Sequence, residues 1–195
     1  MTHLLALVGF SFVSSLTPGP NNVLLWASGA AFGFRRTLPH VLGTALGIGA
    51  MALAAAAGLA AAVAAVPELA LVMRLGGSAY LLYLAWQIGR SGALQSAALA
   101  RPLGVRGGAT FQLLNPKAWI FALGAVTTFR PADLPPATGS VIVALMMMLV
   151  IVPTAAAWAG GGGAVSRLLR GERSHRIVSI ALAVMVVLTV ALVWL

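Results

Sequence analysis

Two short runs in this sequence combine residue types suited to holding a small polar solute. The first is Thr17-Pro18-Gly19-Pro20-Asn21-Asn22, and the second is Gln112-Leu113-Leu114-Asn115-Pro116-Lys117. Thr17 and Asn115 are good helix N-caps, and Pro18 and Pro116 suit the first helical position, where a missing N–H costs nothing. Each run therefore predicts the start of a new half-helix. Its first N–H groups and positive dipole end favour an anionic group such as a carboxylate. Gly19 and Pro20 keep the backbone open to a ligand or a neighbouring helix, while Asn21, Asn22 and Gln112 bring amides that both donate and accept. Lys117 is a cation inside an apolar run. Either it neutralises a substrate carboxylate, or its stem carries the ammonium toward the cytoplasmic surface near Arg106. The candidate binding set is Thr17, Pro18, Gly19, Pro20, Asn21, Asn22, Gln112, Asn115, Pro116 and Lys117.

The elements that must position these residues follow from composition. The chain has 195 residues, 61% of them hydrophobic and 8% charged, against roughly 25% charged in ordinary globular sequences. So few charges cannot cover the surface of a soluble domain, and the chain must be solvated by lipid. A crossing takes about 20 apolar residues, and six apolar runs are legible, at residues 2–34, 38–66, 69–89, 107–129, 137–159 and 177–195. The predicted fold is all-α, a single polytopic transmembrane domain over residues 1–195. No Lys or Arg precedes the first run and no small-residue cleavage site precedes its Pro-Gly interruption, so it reads as a broken span, not a leader peptide. A competing topology has five full crossings, with the first half of span 1 entering only partway.

Arginines set the direction. Arg35, Arg36, Arg90, Arg101, Arg106, Arg167, Arg170, Arg173 and Arg176 fall in connections on one side; Arg130 lies on the other, and Arg74, within the third run, reaches back to that surface near Glu68. The side rich in bases is cytoplasmic by the positive-inside rule, which places both termini outside. In a soluble chain a net charge of +9 would suggest nucleic acid; bases confined to loops between apolar runs exclude that reading.

Pro18 and Pro116 stand 98 residues apart, half the chain length. The chain thus divides into repeats of roughly residues 1–97 and 98–195 with three spans each, and an odd number of spans gives the two halves opposite directions. Inverted repeats with paired broken helices, here helices 1 and 4, are the architecture of transporters whose sites lie near the bilayer midplane. If the prolines only kink packed helices, the chain would be a membrane interaction protein without transport. An enzyme would need paired acid and base groups at depth, and the spans offer none.

Other features read as structural. The absence of cysteine removes disulfides and thiolate ligands, and His3, His40 and His175 are too scattered for a metal site, so neither metal nor cofactor is expected. Gly43 and Gly47, with Gly49, suit close helix packing. Met146, Met147 and Met148 face lipid or core, the five tryptophans anchor interfaces or pack, and Gly160 to Gly163 reads as a flexible exit from span 5.

The two motifs, with Gly33-Phe34-Arg35-Arg36, Gly43-Thr44-Ala45-Leu46-Gly47, Ala79-Tyr80-Leu81-Leu82-Tyr83-Leu84-Ala85-Trp86 and Phe111 to Trp119, occur in an order that resembles the LysE/RhtB superfamily of bacterial amino-acid exporters over essentially the whole chain. The resemblance implies a secondary transporter in the inner membrane that exports amino acids or their derivatives, with the proton as coupling ion. It is nearest in motif to the cysteine and O-acetylserine branch; homoserine, threonine, leucine and basic amino-acid exporters share the frame. Glu68, Asp133 and Glu172 all lie in connections, so a neutral zwitterion is expected and not a cationic substrate. Another small solute or an inorganic ion is the alternative cargo. Lipid is the expected surroundings, and association into a homo-oligomer is compatible with the sequence.

One departure from the resembled pattern bears on coupling. Many members carry an acid directly after the second glycine of span 2, where this chain has Ile48. Intramembrane acids commonly relay protons, so coupling here needs another group. His40 is the only titratable candidate of suitable range near a span, and it is expected at the cytoplasmic end of span 2 as an interface residue.

Overall fold

Proline and glycine cut the apolar sequence into helices, and a computed structural model of the chain describes residues 2–58, 67–91, 101–168 and 171–194. Among these residues the regular elements are eight α-helices: α1 (Thr2–Leu16), α2 (Pro20–Phe32), α3 (Phe34–Ala56), α4 (Pro67–Ser91), α5 (Val105–Leu113), α6 (Pro116–Phe129), α7 (Pro136–Leu168) and α8 (Glu172–Val193). Pro20, Pro67, Pro116 and Pro136 each open a helix, as expected of a residue that lacks an N–H but has helical φ. Gly33, at φ 83°, makes the turn between α2 and α3 that a side chain would strain.

The first half-helix begins two residues later than the capping rule predicts. Gly19, not Thr17, is the N-cap of α2, and Pro20, not Pro18, is its first residue. The cause is Pro20, which disfavours helical backbone at the residue before it; Gly19 is accordingly extended, at φ −167° and ψ 172°. Thr17 instead turns its hydroxyl back to Val13 O at 2.8 Å, closing α1. At the second interruption Asn115 is the N-cap and Pro116 opens α6, although the Asn115 side chain makes no capping bond. Trp119 Nε1 donates to Leu113 O at 3.0 Å and satisfies a carbonyl that the end of α5 leaves free.

Among the described residues, three stretches are long and apolar enough to cross a bilayer alone: α3, α7 and residues 173–191 of α8. The helices α1, α2, α5 and α6 have 15, 13, 9 and 14 residues, short of the roughly 20 that one crossing needs. Large apolar side chains such as Leu5, Val72, Ile120 and Leu149 face outward, an exterior that lipid solvates and water would not. The chain is an all-helical membrane protein.

α3 and α7 lie against each other, α2 and α1 pack on α7, α5 and α6 pack on α3, and α4 pairs with α8. One apolar core joins Leu7, Leu25, Met51, Phe121, Met147 and Ile151. A second joins Val23, Leu24, Leu81, Ile88, Phe111 and Val186. Glycine allows the closest crossings. A Cβ on Gly43 would collide with the backbone of Val105, and one on Gly47 would lie 2.8 Å from Ala109 O, so α5 rides directly on α3. Gly160 to Gly163 are not a flexible exit. They lie within α7, because their lack of side chains lets α2 press on them: a Cβ on Gly162 would collide with Trp26 O, and Ser166 Oγ donates to Ala30 O at 3.2 Å.

This packing makes a measurable contrast. Gly47→Ala should cost about 1–3 kcal/mol by overpacking the α3–α5 crossing, whereas Gly9→Ala, with nothing within 4 Å of the added Cβ, should leave stability unchanged or higher. Thermal unfolding of the purified variants in detergent checks this, and equal midpoints for Gly47→Ala and wild type would remove the packing role.

Candidate functional site

The end of α1 leaves carbonyls without helical partners, which must be met elsewhere when they are shielded from water. Asn22 Nδ2 donates to Ser15 O at 2.8 Å and to Thr17 O at 3.0 Å. Lys117 Nζ reaches across from α6 and donates to Thr17 O at 2.5 Å and Pro18 O at 3.3 Å. A cation is well placed there, because the C-terminal end of a helix carries partial negative charge. The Lys117 ammonium therefore lies at the first interruption and ties it to the second. Gly19 makes room for it, since a Cβ at that position would be 2.9 Å from Lys117 Cδ.

At the second residue of α2, the side-chain carbonyl of Asn21 collects donors from two other helices. His40 Nε2 lies 3.2 Å and Thr44 Oγ1 3.3 Å from Asn21 Oδ1, and Gln112 Nε2 donates to the same oxygen at 2.9 Å. Gln112 Nε2 also donates to Gly108 O at 3.1 Å, and the Thr44 hydroxyl is shared with His40 O at 3.0 Å. His40, Thr44 and Gln112 are buried. The oxygen is an acceptor, so the imidazole donates from Nε2 and its Nδ1 carries the bare lone pair. Among the described residues, buried His40 Nδ1 and Asn115 Oδ1 have no hydrogen-bond partner.

These groups border a cleft of about 450 Å³, counting its open mouth. Ser14, Ser15, Asn21, Asn22, Thr44, Gln112, Asn115, Lys117 and Thr154 give it polar walls, and Ile48, Ala118, Phe121, Ile151 and Ala155 an apolar one. Of the residues expected from sequence, Gly19, Asn21, Asn22, Gln112, Asn115 and Lys117 are brought together here. The Thr17 and Pro18 side chains are exposed, and these residues contribute only the carbonyls that hold Lys117. Pro20 and Pro116 set helix starts without lining the cleft.

The structure also supplies residues that sequence reasoning missed. Thr44 and Ile48 follow His40 at successive four-residue steps, one face of α3, and Ile151, Thr154 and Ala155 share a face of α7; that periodicity was the available signal. His40, expected at the end of a span, is covered by protein. It is fully buried, because Gly108 lets α5 close over it, with only 3.0 Å from a Cβ there to His40 Cδ2. No Asp or Glu is buried among the described residues. The cleft thus presents one cation, several neutral donors and acceptors and an apolar wall, a set that can recognise a small molecule bearing charges of both signs.

Lys117 is the only lysine in the chain, which makes its tether measurable. Gly19→Ala displaces the flexible end of that side chain without disturbing backbone, so the variant should fold and its Lys117 should react several-fold faster with an amine-directed reagent. Peptide mass spectrometry of labelled protein reads the rate; an unchanged rate would mean the ammonium is not held at the first interruption.

The profile of the LysE type translocator family matches residues 12–194. A cysteine/O-acetylserine efflux protein of Salmonella typhimurium is 32% identical over 121 residues, 62% of this chain and 62% of the relative. One of Klebsiella pneumoniae is 32% identical over 128 residues, 66% and 65% of the two chains. One of Escherichia coli K12 is 29% identical over 129 residues, 66% of each. The matched region thus spans somewhat less than two thirds of the first of these relatives. No solved structure matches the chain. A family profile that runs through both interruptions and nearly to the last residue settles its membership: the chain belongs to the LysE family of translocators.

Proposed function

We propose that the protein is a secondary transporter of the bacterial inner membrane that exports a neutral, zwitterionic amino acid or amino-acid derivative. Cysteine or O-acetylserine, or homoserine or threonine, has the required chemistry. The observation that carries this reading is the meeting of the two helix interruptions in one cleft, with Lys117 and Asn115 among its lining residues and the buried Asn115 Oδ1 without a partner among the described residues. An ammonium has three donors, and the two carbonyls of the first interruption take two. The third is directed to a substrate carboxylate. Asn115 Oδ1 accepts from the substrate ammonium, and Thr44 or Thr154 meets a polar side-chain tip beside Ile48, Phe121 and Ile151.

The transport fold behind this reading has six crossings in two inverted halves. α1 with α2 forms the first crossing and α5 with α6 the fourth, each interrupted near mid-depth, with both chain ends on the periplasmic side. Reciprocal packing supports it: α1 and α2 lie on α7 as α5 and α6 lie on α3, while α3 meets α7 and α4 meets α8. Rocking of one half against the other would expose the cleft to each side in turn, with the proton gradient as the driving force. The names of the relatives, cysteine/O-acetylserine efflux proteins, support amino-acid cargo.

Purified protein in proteoliposomes, given cysteine, O-acetylserine, homoserine and threonine, tests this. At least one should give flux and raise the unfolding temperature, since a ligand that binds only the folded state stabilises it. Asn115→Ala should lower flux far more than expression. Lys117→Gln should weaken apparent affinity about tenfold or more, because a hydrogen bond to a charged group contributes roughly 1.5–3 kcal/mol. No flux and no thermal shift with the whole panel would overturn the exporter reading; flux with unchanged affinity in Lys117→Gln would overturn the carboxylate contact alone.

A further inference from the structure

No Asp or Glu is buried among the described residues to carry a coupling proton, yet the helices enclose one imidazole where residues from the two halves of the chain meet. We infer that His40 is the proton carrier of this transporter, and that the arrangement described here is the one its neutral ring selects. The inference rests on the exporter reading above for its cargo, and on geometry for the residue.

His40 is fully buried. Its Nε2–H donates to Asn21 Oδ1, the oxygen that also receives Gln112 from the second half of the chain. On the opposite edge of the ring Nδ1 is bare, with no partner among the described residues. That lone pair is the proton-accepting atom. A proton added there forms a second N–H, and in this arrangement the N–H finds no acceptor while the ring becomes a buried unpaired cation, a costly condition. The helices packed on α3 offer no relief. α2 bears no ionisable residue, α5 bears Arg106, α6 bears Lys117, α7 bears Arg167, and α3 itself bears Arg35 and Arg36. Every one of these is a cation.

Protonated His40 therefore requires another arrangement of α3 against α2 and α5, one that gives Nδ1–H an acceptor or water. Such a link between a proton and the choice of conformation is what coupling demands, because a ligand shifts an equilibrium only through its different affinity for the two states. The ring acts one contact behind the substrate: Asn21, Thr44 and Gln112 line the cleft, and each touches His40 or the oxygen that His40 holds. In the cycle, Nδ1 takes a proton from water on the outer side and returns it to water on the cytoplasmic side, with no other bond made or broken. Export of a zwitterion against that inward proton moves one net positive charge inward.

The decisive experiment compares wild type and His40→Gln in proteoliposomes, with O-acetylserine and cysteine as probes, by two assays. Gln keeps a donor for Asn21 but cannot titrate. Wild type should show transport that rises about tenfold under an imposed pH gradient, whereas His40→Gln should lose that response and keep substrate-for-substrate exchange at equal pH. Gradient-driven transport in His40→Gln equal to wild type would overturn the inference. If His40→Gln fails to fold, His3→Gln/His175→Gln protein, which leaves His40 as the only histidine, is read by nitrogen-15 NMR of the labelled ring. Its ring should be Nε2–H neutral in one state and gain a second N–H as the pH is lowered, in step with substrate addition. A ring that stays neutral throughout, with or without substrate, would overturn the assignment. Absence of any flux in wild type would instead strike the exporter reading, and the NMR result would still decide whether His40 exchanges a proton.

Discussion

The side-chain carbonyl of Asn21 is the constraint on which the arrangement turns. It lies in the first turn of α2, directly after the first interruption, and takes hydrogen bonds from α3 through His40 and Thr44 and from α5 through Gln112. A buried carbonyl with converging donors fixes position as well as energy, because each donor left without it would be an unsatisfied polar group in an apolar interior. Three helices from both halves of the chain must therefore keep their relative depth and rotation. The glycines of α3 and α5 make that convergence sterically feasible: with a side chain at Gly43, Gly47 or Gly108, α5 could not approach closely enough for Gln112 to reach Asn21.

A second tie works by charge. Lys117 opens onto the end of α1, where Thr17 and Pro18 present carbonyls that no helix satisfies, and Asn22 meets Ser15 and Thr17 from the other side. The interruptions are thus not two separate kinks. Each supplies what the other lacks, carbonyl oxygens from the first and an ammonium from the second. Irregular backbone at depth is tolerated on those terms, and the same groups that stabilise the interruption form the walls of a cleft. In the proposed transporter, structural satisfaction and solute recognition use one set of atoms, and a substrate that drew on Lys117 or Asn115 would act directly on the contact between the halves.

Much of this was legible in the chain as a string. The Pro-Gly-Pro and Asn-Pro signals mark helix starts through local backbone rules, and six of the ten candidate binding residues meet in the cleft. The start of α2 was misplaced for a local reason that could have been read: Pro20 holds Gly19 extended, so no helix can run through it from Pro18. Gly160 to Gly163 were misread because glycine carries opposite meanings in a linker and at a crossing, and only the presence of α2 on that face distinguishes them. The cover over His40 was not legible, because distance from the nearest arginines says how far along a helix a residue lies, and nothing about what covers it.

Composition and the length of the apolar runs determined by themselves that the chain is helical and lives in lipid, since 15 charged residues among 195 leave no other solvent. Local chemistry likewise determined where helices stop, because proline and glycine act within one or two residues. Tertiary structure alone decided which polar groups face one another across 91 to 100 residues of chain, as Gln112 does Asn21 and Lys117 does Thr17. Such pairings depend on the rotation and depth of packed helices, quantities that small residues set through close approach and that no local rule encodes.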